Sequence, residues 1–207
     1  MEKLDFKKAY KDLYLPGAAP MCIDVPAMRF IMVDGEGAPE GADYQQALQV
    51  LYALSFNIKM SKLGPRPIAG YYEYVVPPLE GLWSCKDGPF DVQARGDWCW
   101  TSMIRQPDFV TEDVFADALL ACQRKKPDLP IARARFVTWT EGRCVQMLHR
   151  GPYADEPVSL AQLHAFMQAQ QLAPDAARRH HEIYLSDPRR ADPARLRTVL
   201  RLPVKRL

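Results

Sequence analysis

Residues 181–188, His-Glu-Ile-Tyr-Leu-Ser-Asp-Pro, read as a β-strand from His181 to Ser186 that Asp187 and Pro188 bring to an end. Glu182 stands inside this strand, where glutamate is disfavoured, and the two-residue period puts Tyr184 on the same face. Two readings of Glu182 are open. It is either an edge-strand carboxylate in water, or a carboxylate forced into an aromatic cleft, where it suits general-base work or the counter-charge of a cationic ligand.

Outward from this strand the second half of the chain repeats the order of the first. Strands at about 133–140 and 144–150 are expected to meet in a tight hairpin at Glu141-Gly142-Arg143. Pro157 then opens a helix carrying Leu160, Leu163, Phe166 and Met167, the Glu182 strand follows, and a turn at Asp192-Pro193 leads to a strand over Arg197 to Val204. In the first half, Arg29 to Gly35 is a strand, and Asp43, with Gln46 three residues on, is a candidate N-cap. The helix so begun has Ala47, Leu48, Leu51, Tyr52, Ser55 and Ile58 on one stripe and stops at Gly64, Pro65 and Pro67. Residues 68–76 and 97–104 read as strands, the latter with Trp98 and Trp100 on one face and Cys99 and Met103 on the other. Thr111 caps a further helix that buries Phe115, Ala118, Leu119 and Cys122 and ends near Lys125 and Lys126.

Strand, helix, strand, strand thus occurs twice, over 29–104 and 144–204, which predicts an α+β fold made of two like units. Side by side they form one antiparallel-rich sheet with both helices on one face, the other face concave and open to a ligand, and function where the halves meet. The expected organisation is an N-terminal extension, 1–27, wrapping a single domain, 28–207, with a first repeat at about 28–105, a connecting helix at about 111–126 and a second repeat at about 133–205.

Composition narrows the function. The chain has 207 residues, 48% hydrophobic, and a net charge of +2, without the basic excess of a dedicated nucleic-acid binder. Nine Lys or Arg against three acids over 178–206 read as a solvated face or as a surface for nucleic acid or a partner. No apolar run is long enough for a membrane helix, and the first residues do not read as a secretory signal, so a cytoplasmic setting is expected. Five widely spaced cysteines without a C-x-x-C pair suit reduced, mostly buried thiols. His180 and His181 point to opposite faces of a strand, and His149 and His164 have no partner at ligand spacing, so no metal and no cofactor is expected.

The candidate ligand residues are aromatic. Tyr71, Tyr72, Tyr74, Trp83, Trp98, Trp100, Trp139, Tyr153 and Tyr184 fall on candidate strands or their connections, where they serve either as core or as walls for a flat, lipophilic molecule. Glu73 stands in a strand of the first half comparable to that of Glu182, and Glu80 is expected on a loop beside Trp83.

Glu-Ile-Tyr-Leu-Ser-Asp-Pro (182–188) resembles the close of the GyrI-like small-molecule-binding superfamily. Pro-Pro-Leu-Glu-Gly-Leu-Trp (77–83), Trp-x-Trp-Thr-x-Met-Ile-Arg-Gln-Pro (98–107), Gly-Pro-Tyr (151–153) and Asp-Pro-Arg-Arg (187–190) are similar to its stand-alone branch, which lacks DNA-binding helices. The resemblance spans about residues 20–205 and implies a duplicated, SHS2-type fold with a ligand cleft at the pseudo-twofold. It also implies that Glu182 faces the ligand, and that the chain hydrolyses cyclopropane-bearing, duocarmycin-type genotoxins. In that chemistry Glu182 is the base, Tyr74 or Tyr184 the proton donor and Glu80 a second acid, with Trp83, Trp98 and Trp100 holding the ligand. Ser84 departs from the pattern, which has a second aromatic after Trp83. The other function open is binding of lipophilic cations without turnover, by a monomer or homodimer, and a gyrase-binding role rests on the superfamily's name alone.

Overall fold

The computed structural model describes residues 3–64, 67–86, 90–91 and 94–207; Pro65, one of the expected helix stops, lies outside them. Two short helical turns, α1 (Phe6–Ala9) and α2 (Lys11–Tyr14), lead into the long strand β1 (Met21–Glu36). Helix α3 (Ala42–Met60), strands β2 (Leu79–Cys85) and β3 (Trp98–Arg105) and helix α4 (Glu112–Lys125) complete the first half. Strand β4 (Arg135–Arg150), helix α5 (Glu156–Ala169), the short β5 (Leu172–Pro174), β6 (His180–Tyr184) and β7 (Arg197–Arg206) form the second.

The two expected units are present as β1-α3-β2-β3 and β4-α5-β6-β7, and every ladder between their strands is antiparallel. They meet along two edges. Met21 to Met32 of β1 run opposite Gln146 to Arg135 of β4, and Leu79 to Trp83 of β2 run opposite Tyr184 to His180 of β6. With β3 beside β1 and β2, and β7 beside β4 and β6, six strands close into a barrel, and β5 adds to the outer end of β7. Helix α3 packs on β1 and β3, and α5 on β4 and β7, so the helices share the outer face. The face they leave uncovered is the barrel interior, filled with side chains, so the expected concave ligand surface is not there. The open space lies outside, between the helices.

Local differences from the sequence expectations have physical causes. Residues 135–150 are one strand and not a hairpin, because Gly142, at φ +70°, lets β4 bend from its pairing with β1 to its pairing with β7. Residues 68–76 join no ladder. Gly70 at φ +75° interrupts them, Tyr74 makes an isolated bridge to Leu4, and Tyr71, Tyr72 and Tyr74 pack around Phe109. Helix α3 begins from Gly41, and Asp43, inside its first turn, pairs with Arg133 rather than capping. The Thr111 cap forms as expected, its hydroxyl accepting from the Val114 N–H at 3.3 Å. The barrel takes in residues 21–27, and of the cysteines only Cys122 and Cys144 are buried.

Inside the barrel, charge is balanced around one imidazole. His181 Nδ1 lies 3.0 Å from both Glu141 oxygens and Nε2 lies 3.0 Å from Glu80 Oε2; carboxylates only accept, so both ring nitrogens donate. Burial opposes the charge on His181, but Glu141 outweighs it and raises the imidazole above its usual range. Arg201 donates to Glu141 Oε2 at 3.0 Å, to Gln146 at 2.9 Å and to the Leu13 carbonyl at 2.7 Å, and the Tyr14 hydroxyl donates to Glu80 at 3.2 Å. The N-terminal turns are thereby fastened across the barrel end, and Phe6, Leu13 and Tyr14 are buried there.

Burial alone would raise the Glu141 carboxyl, but His181 and Arg201 bring it from 4.5 down to about 2. Its contribution to stability is therefore present above pH 4.5 and lost as the pH falls toward 2. Glu141→Gln leaves two buried cations short of a partner and is expected to cost about 3–5 kcal/mol at pH 7 in urea unfolding; a loss under about 1 kcal/mol would mean that the network does not hold the barrel.

Candidate functional site

The two-residue period of β6 decides what the outer face offers. His181 and Ile183 point into the barrel, and His180, Glu182 and Tyr184 point out. On the adjacent β2, Gly81 stands opposite Glu182 and Trp83 opposite His180, so these residues share the floor between α3 and α5. A cleft of about 2150 Å³ lies over it, lined by Tyr44 of α3, Trp83, Trp98, Tyr153, Glu156, Glu182 and Tyr184, among others.

Glu182 is held at both oxygens. The Trp83 indole N–H donates to the Tyr184 hydroxyl at 2.8 Å, which donates to Glu182 Oε2 at 2.7 Å; His180 Nε2 lies 3.0 Å from Oε1. Phe90 stacks on the His180 ring at 5.3 Å, and the aromatic wall continues through Tyr44 stacked on Trp83 at 5.7 Å and Trp98 edge-on to Trp83 at 5.5 Å. Gly81 makes room for this chain: a Cβ there would come within 2.8 Å of Trp83 Nε1 and 3.1 Å of the Tyr184 hydroxyl. Burial, and after it the charge of Glu182, pushes the Tyr184 hydroxyl well up, so it stays a donor.

Across the cleft Glu156 opens α5. Its side chain is 6% exposed and Oε1 has no hydrogen-bond partner among the described residues. Burial, then the charge of Glu182, pushes its carboxyl up from 4.5 to about 10, so at neutral pH it carries a proton. The loop that presents it is fixed at its base: His149 at the end of β4 lies 2.9 Å from the Ser159 hydroxyl and 3.2 Å from the Pro152 carbonyl, and Gly151 turns at φ +124°. Tyr153, on the same loop, meets Tyr184 edge-on at 6.2 Å. The cleft therefore sets a neutral carboxylic acid beside a hydrogen-bonded carboxylate, one able to give a proton and the other to accept one.

Residues 19–205 match the model of the GyrI-like small molecule binding domain. The chain belongs to that family. The GyrI-like domain here is similar over nearly its whole length to two structures from Listeria innocua. One is an uncharacterized conserved protein at 51% identity, covering 98% of this chain and 100% of that one with a TM-score of 0.94. The other is a hydrolase, at 50% identity, covering 99% and 100% with a TM-score of 0.92. The EcmrR C-terminal domain shares the fold alone, at 11% identity over 91% of this chain and 98% of that one, with a TM-score of 0.56. Comparison with curated proteins gave no match.

Of the residues singled out from the sequence of this GyrI-like domain, the structure brings Glu182, Tyr184, Trp83, Trp98 and Tyr153 together at the cleft. Trp100 lies behind the wall, edge-on to Tyr44 at 5.0 Å and stacked over Gly35. The others are elsewhere. Glu80 is on β2 and not on a loop, and it faces the barrel interior beside His181. Trp139 also sits inward, 5.9 Å from the His181 ring. Tyr74 is buried among Phe6, Tyr71, Tyr72 and Phe109, and Glu73 pairs with Lys62 away from the cleft. Sequence reasoning missed Glu156, Tyr44 and Phe90. The available signal for Glu156 was its place one residue before Pro157 in Gly-Pro-Tyr-Ala-Asp-Glu-Pro, but a glutamate at a helix start reads as an ordinary partner of the helix dipole.

Because Glu156 keeps its proton in the folded protein and loses it near 4.5 when unfolded, it makes stability fall as the pH rises from 4.5 to about 10. Glu156→Gln removes that slope, and by thermal or urea unfolding the variant is expected to gain on the order of 1–3 kcal/mol over wild type at pH 8, with little difference at pH 4. Parallel pH profiles would show that the Glu156 carboxyl is ionised in the folded state.

Proposed function

We propose that this protein is a hydrolase that adds water to a flat, lipophilic electrophile in the Glu156–Glu182 cleft, and that its substrates are cyclopropanes conjugated to a dienone, of the duocarmycin type. The observation that carries the reading is the protonated Glu156 beside the anchored Glu182 carboxylate, framed by aromatic rings. The similarity to Listeria proteins described as hydrolases, at 48% and 50% identity over nearly the whole chain, supports it.

The reaction balances with these groups. The aromatic wall holds the dienone plane, and Glu182 takes a proton from a water as the water oxygen bonds to the cyclopropane methylene. The strained C–C bond breaks, its electron pair moves into the ring system to make a phenol, and the former carbonyl oxygen takes the proton of Glu156. Transfer of a proton from Glu182 back to Glu156 restores the starting state. Tyr184 and His180 orient the base. Glu156 takes the proton-donor role that the resemblance implied for Tyr74 or Tyr184, and the part of second acid implied for Glu80.

A second reading is binding of lipophilic cations without turnover, and the same rings around the Glu182 carboxylate favour it. Mass spectrometry of a cyclopropane-containing duocarmycin-type compound after incubation with the protein separates the two. The hydrolase reading predicts a product heavier by one water, with kcat/KM reduced roughly 100- to 10,000-fold in both Glu182→Gln and Glu156→Gln. Tight binding with the compound recovered unchanged would establish the sequestering module instead.

A further inference from the structure

Among the described residues, the buried charged side chains that face the barrel interior are Glu80 and Glu141 against His181, Arg201 and Arg105. His181 is a cation there, because each of its ring nitrogens donates to a carboxylate. Both carboxylates are engaged: Glu141 takes His181 and Arg201, and Glu80 takes His181 and the Tyr14 hydroxyl. The interior therefore carries one positive charge in excess, and it falls to Arg105.

Arg105 ends β3. Met103 stands opposite the inward Glu80, so the two-residue period turns Arg105 inward as well, at the barrel end that the N-terminal turns close. Its side chain is 6% exposed, and Nε and Nη1 have no hydrogen-bond partner among the described residues. The Phe6 and Tyr10 ring centroids lie 4.9 Å and 4.3 Å from Cζ, and the guanidinium charge also acts on the Tyr14 hydroxyl. Rings attract a cation through their faces, but they give its N–H groups no oxygen to donate to. Arg201, buried in the same barrel, shows the contrast: Nε, Nη1 and Nη2 donate to Gln146, Glu141 and the Leu13 carbonyl.

A buried charge with open donors is unfavourable unless an opposite charge meets it. The geometry points to an anion site at Arg105, beneath α1, that takes one small, weakly hydrated monovalent anion, of which chloride is the type. The charge excess sets the valence, since one such ion brings the cluster to neutrality. The surroundings set the hydration: the Phe6 and Tyr10 rings replace little of a tightly held water shell, so fluoride and sulfate lose more on entry than chloride does. Tyr10 lies over the guanidinium and is 36% exposed, which places the site at the barrel end and not deep inside. A bound ion there adds a fastening for the Phe6–Tyr10 turn to those that Leu13 and Tyr14 already make.

Thermal unfolding of the full chain at pH 7, with chloride exchanged for gluconate at constant ionic strength, tests this. An ion bound by the folded state alone raises the midpoint by about 3–6 °C for each tenfold rise in chloride above its Kd. That slope is expected in wild type and is expected to vanish in Arg105→Met, which keeps an unbranched side chain and removes the charge. A wild type that stays flat between about 1 and about 300 mM chloride, or an equal slope in Arg105→Met, overturns the inference. Where Arg105→Met does not fold, anomalous scattering from wild-type crystals grown in bromide decides: a bromide touching Nε or Nη1 of Arg105 supports the site, and bromide only elsewhere, an adventitious ion only, overturns it. Neither measurement involves Glu156 or Glu182, so the reading of the cleft stands or falls separately.

Discussion

The register of β6 is set by the His181 imidazole, and the site depends on that register. With one nitrogen against Glu141 and the other against Glu80, the ring fits only on the inner face, where two carboxylates and Arg201 await it. Because alternate residues of a strand face opposite ways, fixing His181 inward fixes His180, Glu182 and Tyr184 outward. A slip of one residue would exchange the two sets, burying Glu182 where a cation belongs and exposing an imidazole that two carboxylates require. The same network binds the N-terminal turns through Leu13 and Tyr14, so one cluster closes the barrel end and orders the floor of the cleft on its other side.

The cleft inverts the electrostatics of the interior. Inside the barrel, Glu141 is met by His181 and Arg201, and burial is outweighed; outside, Glu156 faces the Glu182 carboxylate, so it keeps its proton instead. Such an arrangement costs stability above the usual carboxylate range, and functional sites are where that cost is found. The loop anchored by His149 holds Glu156 in place.

Much of this was legible in the chain. Periodicity identifies α3, α4 and α5, with the Thr111 cap marking the start of α4 and Pro157 that of α5, and the alternation of aromatic residues identifies β3, because those signals are local. The duplication followed from element order, and the placing of Glu182 and Tyr184 on one face from a two-residue period. Long-range constraints were not legible. Gly142 reads as a hairpin residue until β4 is seen to serve two neighbours, and the aromatic run 68–76 reads as a strand although β2 already occupies the edge of β3. Whether Glu80 faces the ligand or the core depends on its pairing opposite Ile183. Glu156 was hidden for the same reason: the Glu182 charge that helps it keep its proton lies 26 residues further along the chain, and only the fold brings the two together.

The chemistry proposed for the cleft requires Glu156 to be a neutral acid beside the Glu182 carboxylate at physiological pH. An infrared difference spectrum between wild type and Glu156→Gln, recorded at pH 7 in the carboxyl region, measures it without a substrate. A protonated-carboxyl C=O band is expected in wild type and is expected to be missing from the variant. A difference spectrum showing only loss of carboxylate stretches would contradict it, since Glu156 would then be ionised and unable to give its proton to a leaving oxygen.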